Sequence, residues 1–321
     1  MSMTPHDACV ERRRGLPDPL VPQSGALVAA GAGRRVLLAA GAALLLDGCT
    51  IDPDEDHAGP TVPSTGPLRQ TPRTAWVFSS GGPRGFVHVG VLKAADELGL
   101  RPDLIVGASV GALVGVLFAS GVPAREIEAL ALDLQPWTLA RAAIGGAERL
   151  SGGAIAGLVR EHARETQLER MRTAMVVVAQ RLPGGEVVGF NRGDAGLAVQ
   201  AASAIEGQFS PVRIRGQRYA DADHRQPLPV RLVLALGATR VLAVDASAHE
   251  ERAPAGASRY RAGDLRKRAL TRPDAEAASL LLHPDFGYWV SLSREFRERA
   301  IAAGYRDTMA AADRLRALHA G

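Results

Sequence analysis

The sequence is poor in cysteine, aromatic residues and lysine. Its 321 residues include two cysteines, Cys9 and Cys49, and both lie near the N-terminus. The rest of the chain therefore has no disulfide, no thiolate nucleophile and no cysteine-based metal site. With 46% hydrophobic residues, a chain of this length can bury one large core or two small ones.

The positive charge of the chain comes almost entirely from arginine. The formal net charge is +4, yet lysine occurs only at Lys93 and Lys267. This bias is typical of coding composition rather than of a basic patch. Aromatic residues make up only 4% of the chain, so rings that could stack on bases are also scarce. We therefore expect no nucleic-acid partner.

The N-terminal region resembles an export signal. Arg34 and Arg35 precede an apolar run, 36–46, that is too short to span a bilayer. The next residues complete Leu46-Asp47-Gly48-Cys49, which resembles a bacterial lipobox. That resemblance implies a signal region over 1–49 and lipidation at Cys49. The protein would then be an exported lipoprotein, anchored to the membrane on the periplasmic side of a bacterial envelope. The alternative is a buried helix with a chance cysteine.

The stretch 50–73 is polar and rich in proline. Such a composition predicts a tether rather than a folded unit. The folded domain is accordingly expected over residues 74–321.

Strand-like and helix-like patterns alternate from residue 74 onward. Short apolar runs at 74–79 and 104–107 predict buried strands. Helical spacing of apolar residues follows each of them, at 86–98 and 112–119. This alternation is typical of a parallel sheet with right-handed crossovers.

The later sequence predicts more strands and a change of character near residue 250. The Arg-rich stretch 250–272 is expected to be a mobile surface insertion, either simply solvated or in contact with anionic lipid. The remaining predictions are a strand at 173–180 with a hairpin partner at 186–191, a short hairpin at 213–219, a late parallel strand at 240–245, and a largely helical segment from 276 to the C-terminus.

The pentapeptide Gly107-Ala108-Ser109-Val110-Gly111 lies between the second predicted strand and its helix. Gly107 and Gly111 leave room for a sharp turn, which would expose the Ser109 hydroxyl at a helix N-terminus. Proteins present nucleophilic serines in this way. The alternative is a purely structural turn.

A nucleophilic serine requires a base. None of His224, His249, His283 and His319 follows a strand end beside an acidic partner, and His88 lies inside the first predicted helix. A carboxylate base is therefore favoured over a Ser-His-Asp arrangement.

Asp221 follows the 213–219 hairpin and is the candidate for that carboxylate. Its alternative role is to stabilise a turn or a helix start. Asp223 and His224 are expected to be solvated turn residues.

The glycine-rich segment before the first helix offers donors for an oxyanion. Gly81, Gly82, Arg84 and Gly85 open that helix, where backbone N–H groups lack partners. A phosphate-binding loop is the alternative. However, no Lys-Ser/Thr pair follows, and the glycine spacing is not Gly-x-Gly-x-x-Gly.

Together, three segments resemble the patatin-like phospholipase family. Its first block, Gly-Gly-Gly-x-Arg-Gly, reads Ser80-Gly81-Gly82-Pro83-Arg84-Gly85 here, and its second, Gly-x-Ser-x-Gly, is complete at 107–111. The third block is Asp-Gly-Gly or Asp-Gly-Ala, and here it reads Asp221-Ala222-Asp223.

The resemblance implies a three-layer α/β/α fold with a mostly parallel central sheet. It also implies a serine acyl hydrolase that acts on phospholipid or lysophospholipid through a Ser109–Asp221 dyad, without a metal or other cofactor. Gly81 and Gly82 would stabilise the oxyanion, and Arg84 would brace the loop or attract an anionic head group. The alternative, which the altered third block motivates, is a catalytically impaired lipoprotein that binds acyl chains or a protein partner.

Overall fold

A mixed β-sheet organises the chain. The computed structural model describes residues 55–143, 148 and 150–320, and the predicted lipidation site Cys49 lies outside them. The strands in these ranges are β1 (Asp56–His57), β2 (Thr74–Phe78), β3 (Leu104–Ala108), β4 (Arg141–Ala142), β5 (Leu150–Ser151), β6 (Ala174–Leu182), β7 (Glu186–Phe190), β8 (Val212–Ile214), β9 (Gln217–Asp221), β10 (Arg240–Val244) and β11 (Leu280–Leu282).

Helices connect and cover these strands. They are α1 (Phe86–Glu97), α2 (Val110–Ala119), α3 (Ala124–Asp133), α4 (Gly153–His162), α5 (Ala195–Ala202), α6 (Val230–Ala235), α7 (Ser258–Ala277), α8 (Arg294–Ala310) and α9 (Ala312–Ala320). No helix in the described ranges is both long enough and apolar enough to cross a bilayer.

The sheet is parallel at its centre and antiparallel toward one side. Within the described residues it has nine strands in the order β1-β8-β9-β6-β3-β2-β10-β11, with β7 also paired to β6. β2 pairs in parallel with β3 and β10, and β3 pairs in parallel with β6. β7 and β9 run antiparallel to β6. The carboxyl ends of β2, β3 and β10 therefore meet at one edge, where α/β sheets place their sites.

Apolar side chains pack on both faces of the sheet. Trp76 and Phe78 belong to one cluster, together with residues of α1, α2, α5 and α8. Ala75 and Val77 alternate with them and belong to a second cluster, together with residues of α6. Helices thus cover both faces, which confirms the predicted three-layer α/β/α fold. Alternation along a strand that is buried on both sides produces this arrangement.

The start of the fold differs from the prediction of a tether over 50–73. Asp56 and His57 form β1, which pairs in parallel with β8. Val62 is 7% exposed, and the Gly66 N–H donates to Asn191 Oδ1 over 2.8 Å. The described part of that stretch is therefore packed on the domain, because its backbone groups find partners there.

The segment 250–272, expected to be a mobile insertion, forms most of α7 instead. Arginine, alanine and leucine favour helix, and one face of the helix is held to the domain. The buried Asp274 carboxylate accepts hydrogen bonds from Arg231 N (2.7 Å) and Gln226 Nε2 (2.9 Å). The predicted C-terminal helices are present as α8 and α9, but strand β11 and the loop 283–293 precede them.

Candidate active site

Ser109 lies in the sharp turn between β3 and α2. Its φ of 53° and ψ of −125° are unusual for a residue with a side chain and carry backbone strain. The two flanking glycines permit the turn. A Cβ on Gly107 would lie 2.5 Å from the Gly111 carbonyl oxygen, and a Cβ on Gly111 would lie 2.4 Å from the Phe78 carbonyl oxygen. The serine is 6% exposed, at the N-terminus of α2.

Asp221 is brought close to Ser109 by the register of three strands. Ala108, the last residue of β3, pairs with Val178 on β6. Asp221, the last residue of β9, pairs with Ala179, the next residue of β6. Two strand spacings, about 10 Å in all, therefore separate the two backbones. The side chains of Ser109 and Asp221 reach across this distance.

The Asp221 carboxylate is buried, and charged groups of both signs lie near it. Burial raises its pKa to about 7, and the charge of Asp223 acts in the same direction. Three interactions oppose this rise in pKa. They are a hydrogen bond from the Ser109 side chain, a hydrogen bond from the Asp223 N–H, and the positive charge of Lys267.

The two oxygens of Asp221 are held differently. Oδ1 accepts a hydrogen bond from the Asp223 N–H over 2.9 Å. Oδ2 is buried and makes no hydrogen bond of regular length and angle within the described residues. Oδ2 is therefore the carboxylate oxygen that is available to take a proton.

The glycine-rich segment forms a 3₁₀ turn, Gly82–Gly85, next to the serine turn. Gly82 has a φ of 53°, a conformation that glycine adopts without strain. In the described structure the N–H groups of Gly81 and Gly82 donate no hydrogen bond. Gly85 lies against Val110, since a Cβ at Gly85 would be 2.2 Å from Val110 Cγ1. Free N–H donors thus lie on a loop that packs against the serine turn.

Arg84 braces this loop from within. Its guanidinium donates to the carbonyl oxygens of Tyr288 (2.8 Å) and Gly287 (3.0 Å). It also lies 4.7 Å from the centre of the Phe286 ring. Burial lowers the pKa of Arg84, and the charge of Asp264 opposes this effect. Of the two predicted roles, the contacts favour bracing over recognition of a head group.

Asp223 is an acceptor in a charged cluster, a role that the prediction of a solvated turn residue did not include. Its Oδ1 accepts hydrogen bonds from the Ser80 hydroxyl and from Lys267 Nζ, the latter over 2.7 Å. Burial raises the pKa of Asp223, but the charge and hydrogen bond of Lys267 hold it below its usual value. Sequence reasoning missed Lys267 because it lies 44 residues away along the chain.

The histidines take part in other contacts. His88 is fully buried and its Nε2–H donates to the Ser79 carbonyl over 2.9 Å. Burial lowers the pKa of His88 to about 4. The rings of His249 and His283 stack 3.8 Å apart, and His319 Nε2 accepts from the Trp76 indole over 3.2 Å. Among the described residues, no histidine is hydrogen-bonded to Ser109.

The site supplies a hydroxyl, a carboxylate with a raised pKa and a pair of N–H donors. In the described ranges, no group of three or more His, Cys, Asp or Glu side chains is placed to hold a metal ion. The arrangement has the parts that acyl transfer requires, namely a nucleophile, a base and an oxyanion hole.

Comparison with known proteins relates the same part of the chain to a family of lipases. Residues 76–234 match the family model for patatin-like phospholipases. An uncharacterised NTE family protein of Mycobacterium tuberculosis is 32% identical over 183 residues, which cover 56% of this chain and 51% of that protein. Lysophospholipase NTE1 of Coccidioides immitis is 28% identical over 194 residues, which cover 56% of this chain and 12% of that protein. The chain thus spans about half the length of the mycobacterial relative.

Two solved structures superpose on this chain with low scores. VipD from Legionella pneumophila superposes with a TM-score of 0.46 and 15% identity, over 76% of this chain and 67% of that chain. The type III effector protein ExoU superposes with a TM-score of 0.44 and 13% identity, over 77% of this chain and 54% of that chain.

Proposed function

Residues 76–234 place this chain in the patatin-like phospholipase family, and on that premise we propose that it is a serine acyl hydrolase of phospholipids or lysophospholipids. Family membership supports lipid hydrolysis in general. The observation that carries the specific proposal is the strained Ser109 turn beside a buried Asp221 whose pKa is raised to about 7. A general base is most effective when its pKa lies near the working pH.

In the proposed reaction, Asp221 takes the Ser109 hydroxyl proton as the Oγ attacks the ester carbonyl carbon. The resulting oxyanion accepts hydrogen bonds from the N–H groups of Gly81 and Gly82, which have no other partner in the described structure. Collapse of this intermediate breaks the ester bond, and the leaving alcohol takes the proton from Asp221. The acyl chain remains on Ser109.

Water completes the cycle. Asp221 takes a proton from a water molecule that attacks the acyl-enzyme, and the carboxylic acid leaves as the proton returns to Ser109. Throughout, Arg84 and Gly85 keep the donor loop packed on the serine turn, and Gly107 and Gly111 allow that turn to form. Each of the predicted site residues in the described ranges therefore has a role in the proposed mechanism.

The proposal is tested by labelling and by hydrolysis. A fluorophosphonate probe should label the wild-type protein at Ser109, and the Ser109→Ala variant should not be labelled. In a panel of phospholipids, lysophospholipids and short-chain p-nitrophenyl esters, Ser109→Ala and Asp221→Asn should each lose about a thousandfold or more in rate. Equal hydrolysis by Ser109→Ala and wild-type protein would refute the mechanism.

A second candidate is a catalytically impaired protein that binds acyl chains or a protein partner. The observation in its favour is the altered third block, Asp221-Ala222-Asp223, in which an acidic residue replaces a small one. A wild-type protein that binds a fluorescent fatty acid but neither reacts with the fluorophosphonate nor hydrolyses any ester would support this function instead.

We also propose that the protein is anchored to the membrane on the periplasmic side of a bacterial envelope. The apolar run 36–46 and the lipobox-like segment that ends at Cys49 are the basis for proposing an exported lipoprotein. Cells grown with radiolabelled palmitate should yield labelled wild-type protein in the membrane fraction. The Cys49→Ser variant should carry no label, and a labelled variant would contradict the proposal.

A surface beside the site supports a substrate held in a membrane. Exposed apolar side chains lie on α7 and on the loop 283–293, both of which follow strands that end at the site edge. The ring centres of Tyr260 and Trp289 are 6.0 Å apart. We call this the interfacial surface, and it comprises Tyr260, Trp289, Val290 and Leu292.

Charge on the same helix complements an anionic bilayer. Arg259, Arg261 and Arg266 are exposed on α7, and Arg259 lies 4.5 Å from the Tyr260 ring centre. Within the described residues these three arginines form no ion pair with an acidic group. Tryptophan and tyrosine prefer the membrane–water boundary, and arginine is attracted to acidic head groups.

A further inference from the structure

Two of the three positions at which this chain departs from the family motifs, Ser80 and Asp223, contact each other; the third is Ala222. Ser80 replaces the first glycine of the donor loop, and Asp223 replaces a small residue after Asp221. The Ser80 hydroxyl donates a hydrogen bond to Asp223 Oδ1. These residues are 143 positions apart in sequence, so the contact joins two separate segments of the site.

Lys267 of α7 completes the contact. Its ammonium group donates to Asp223 Oδ1 over 2.7 Å, to Ser80 Oγ over 3.2 Å and to the Ser80 carbonyl over 3.4 Å. The side chain of Lys267 is 21% exposed and that of Asp223 is 30% exposed. A compact ammonium with three donors suits three converging oxygens, whereas a planar guanidinium does not. Lysine at this position stands out in a chain whose other basic residues, apart from Lys93, are arginines.

The cluster is connected to both halves of the site. Ser80 directly precedes Gly81, which supplies an oxyanion donor in the proposed mechanism. Asp223 donates its backbone N–H to Asp221 Oδ1 over 2.9 Å. A shift of the cluster would therefore move the donor loop and the base relative to each other.

The other charged groups packed around the cluster have partners of their own. His224 adds a favourable charge next to Asp223. The remaining groups are Glu206 and Arg225, which bind the Gln180 side chain; Arg268, which pairs with Glu250; Arg84, which donates to carbonyls; and Asp245, which accepts from the Ser247 N–H. Within the described residues, Lys267 is thus the cation in direct contact with Asp223.

We propose that Lys267 is a positioning residue of the hydrolase. Through Ser80 and Asp223 it locks the donor loop to the turn that carries the base, and its charge offsets the negative charge that Asp223 brings next to Asp221. The proposal rests on the proposed function. It makes Ser80, Asp223 and Lys267 one unit that does the work of two glycines in the family motif.

The test compares Lys267→Met with Lys93→Met, its matched control. Lys93 is the other lysine, and it pairs with Glu128 on the surface of α1, away from the site. In Lys267→Met, kcat should fall about tenfold or more and the acidic limb of its pH profile should move up by about one unit, while KM changes little. Lys93→Met should match the wild type in both respects.

Two further variants separate charge from packing. The triple variant Ser80→Gly, Asp223→Gly, Lys267→Met restores glycine at two motif positions and removes the whole cluster, and it should recover most of the wild-type kcat and pH profile. Lys267→Arg keeps the charge, so its acidic limb should stay in place although kcat falls. A Lys267→Met variant with wild-type kcat and pH profile would overturn the proposal, as would a lower kcat without any shift in the pH profile.

The thermal midpoint provides a readout that does not depend on activity. Without Lys267, two neighbouring carboxylates face each other, so Lys267→Met should lose more Tm relative to wild type at pH 8 than at pH 5. An equal loss of Tm at the two pH values would overturn the proposal. If the wild-type protein proved inactive, the proposed hydrolase function would fail, and this Tm comparison would still decide whether Lys267 offsets the charge of Asp223.

Discussion

At the residue scale, the molecule concentrates its unfavourable features at Ser109 and Asp221. Ser109 has a backbone conformation with φ of 53°, and Asp221 is a carboxyl group that is 3% exposed. Strained backbones and buried charges each reduce folding stability, and both are commonly found at active sites. Neighbouring residues, such as Gly107 and Lys267, limit this loss of stability.

Activity should depend on the ionisation of Asp221. A base must be unprotonated, and burial raises the pKa of this carboxyl group to about 7. We therefore expect kcat/KM to fall tenfold per pH unit on the acidic side of an apparent pKa near 7. Hydrolysis of a p-nitrophenyl ester from pH 5 to pH 9 measures the profile. A profile that is flat down to pH 5 would contradict Asp221 as the base.

The ionisation of Asp221 that activity requires should lower the stability of the folded protein. Because the folded-state pKa of Asp221 is raised from 3.8 to about 7, its contribution to stability is most favourable below pH 3.8 and is lost as the pH rises toward 7. Asp221→Asn removes this loss. In urea unfolding, the variant should gain about 2–3 kcal/mol relative to wild type between pH 5 and pH 8.5. Asp313→Asn, at a fully exposed site, should show no such trend.

At the element scale, α7 connects the site to the surface. Lys267 and the buried residues Thr271 and Asp274 lie on the side of the helix that faces the domain, and exposed arginines lie on its other sides. The helix could be predicted only in part from its sequence. Its composition favours helix, but its anchoring depends on Gln226 and Arg231, which lie more than 40 residues away.

The packing of α1 on α8 depends on glycines at the crossing point. A Cβ on Gly90 would lie 1.9 Å from the Ile301 carbonyl oxygen, and one on Gly304 would lie 2.1 Å from the Val87 carbonyl oxygen. The helix backbones are therefore in direct contact. Close approach of this kind requires residues without side chains.

We expect Gly90→Ala to destabilise the protein by about 2–4 kcal/mol, because the methyl group forces the two helices apart. Gly157→Ala is the matched control, since Gly157 lies in α4 and a Cβ there would meet nothing within 4 Å. That variant should be neutral or gain up to about 1 kcal/mol. Chemical unfolding of both variants tests the contact, and equal stability of the two would show that the helices are not in backbone contact.

At the scale of the whole molecule, local sequence patterns predict the first strands of the domain. They do not predict contacts between segments that are far apart in sequence. The strands at 74–78 and 104–108 follow from apolar runs that end at glycines, and the Ser109 turn follows from its flanking glycines. β11 escaped prediction because three leucines, 280–282, are too few to distinguish a strand from a helix.

In the candidate site, too, the features that depend on long-range contacts could not be predicted from local patterns. The neighbourhood of Ser109 and Asp221 depends on strand register across β6, which no local pattern specifies. The Asp223–Lys267 ion pair depends on where α7 docks. In the sequence, Asp221 is a candidate base because it follows a predicted hairpin, and the resemblance to the family motifs then pairs it with Ser109.

The interfacial surface should bind acidic bilayers. In full-length protein with Cys49→Ser, which removes any lipid from that residue, Trp289→Ser combined with Leu292→Ser should weaken binding to phosphatidylglycerol-containing vesicles about tenfold or more. Raising the salt concentration should weaken wild-type binding further, since arginines contribute. Vesicle co-sedimentation measures both effects.

The matched control for that experiment is Leu234→Ser, at an exposed apolar residue of α6 that is not part of the interfacial surface. It should leave vesicle binding unchanged. Equal binding by the double variant and the control would show that the interfacial surface does not contact lipid.

The contact between Ser80 and Asp223 also constrains how the gene can change. Replacing Asp223 alone with glycine leaves the Lys267 ammonium partly buried without its anion, and replacing Lys267 alone leaves two carboxylates side by side. Either of these single changes is therefore expected to give a less active or less stable protein, whereas the three changes of the triple variant together are not. The order in which mutations arise therefore matters. Descendants of this protein are expected to keep Ser80, Asp223 and Lys267 together or to have lost all three.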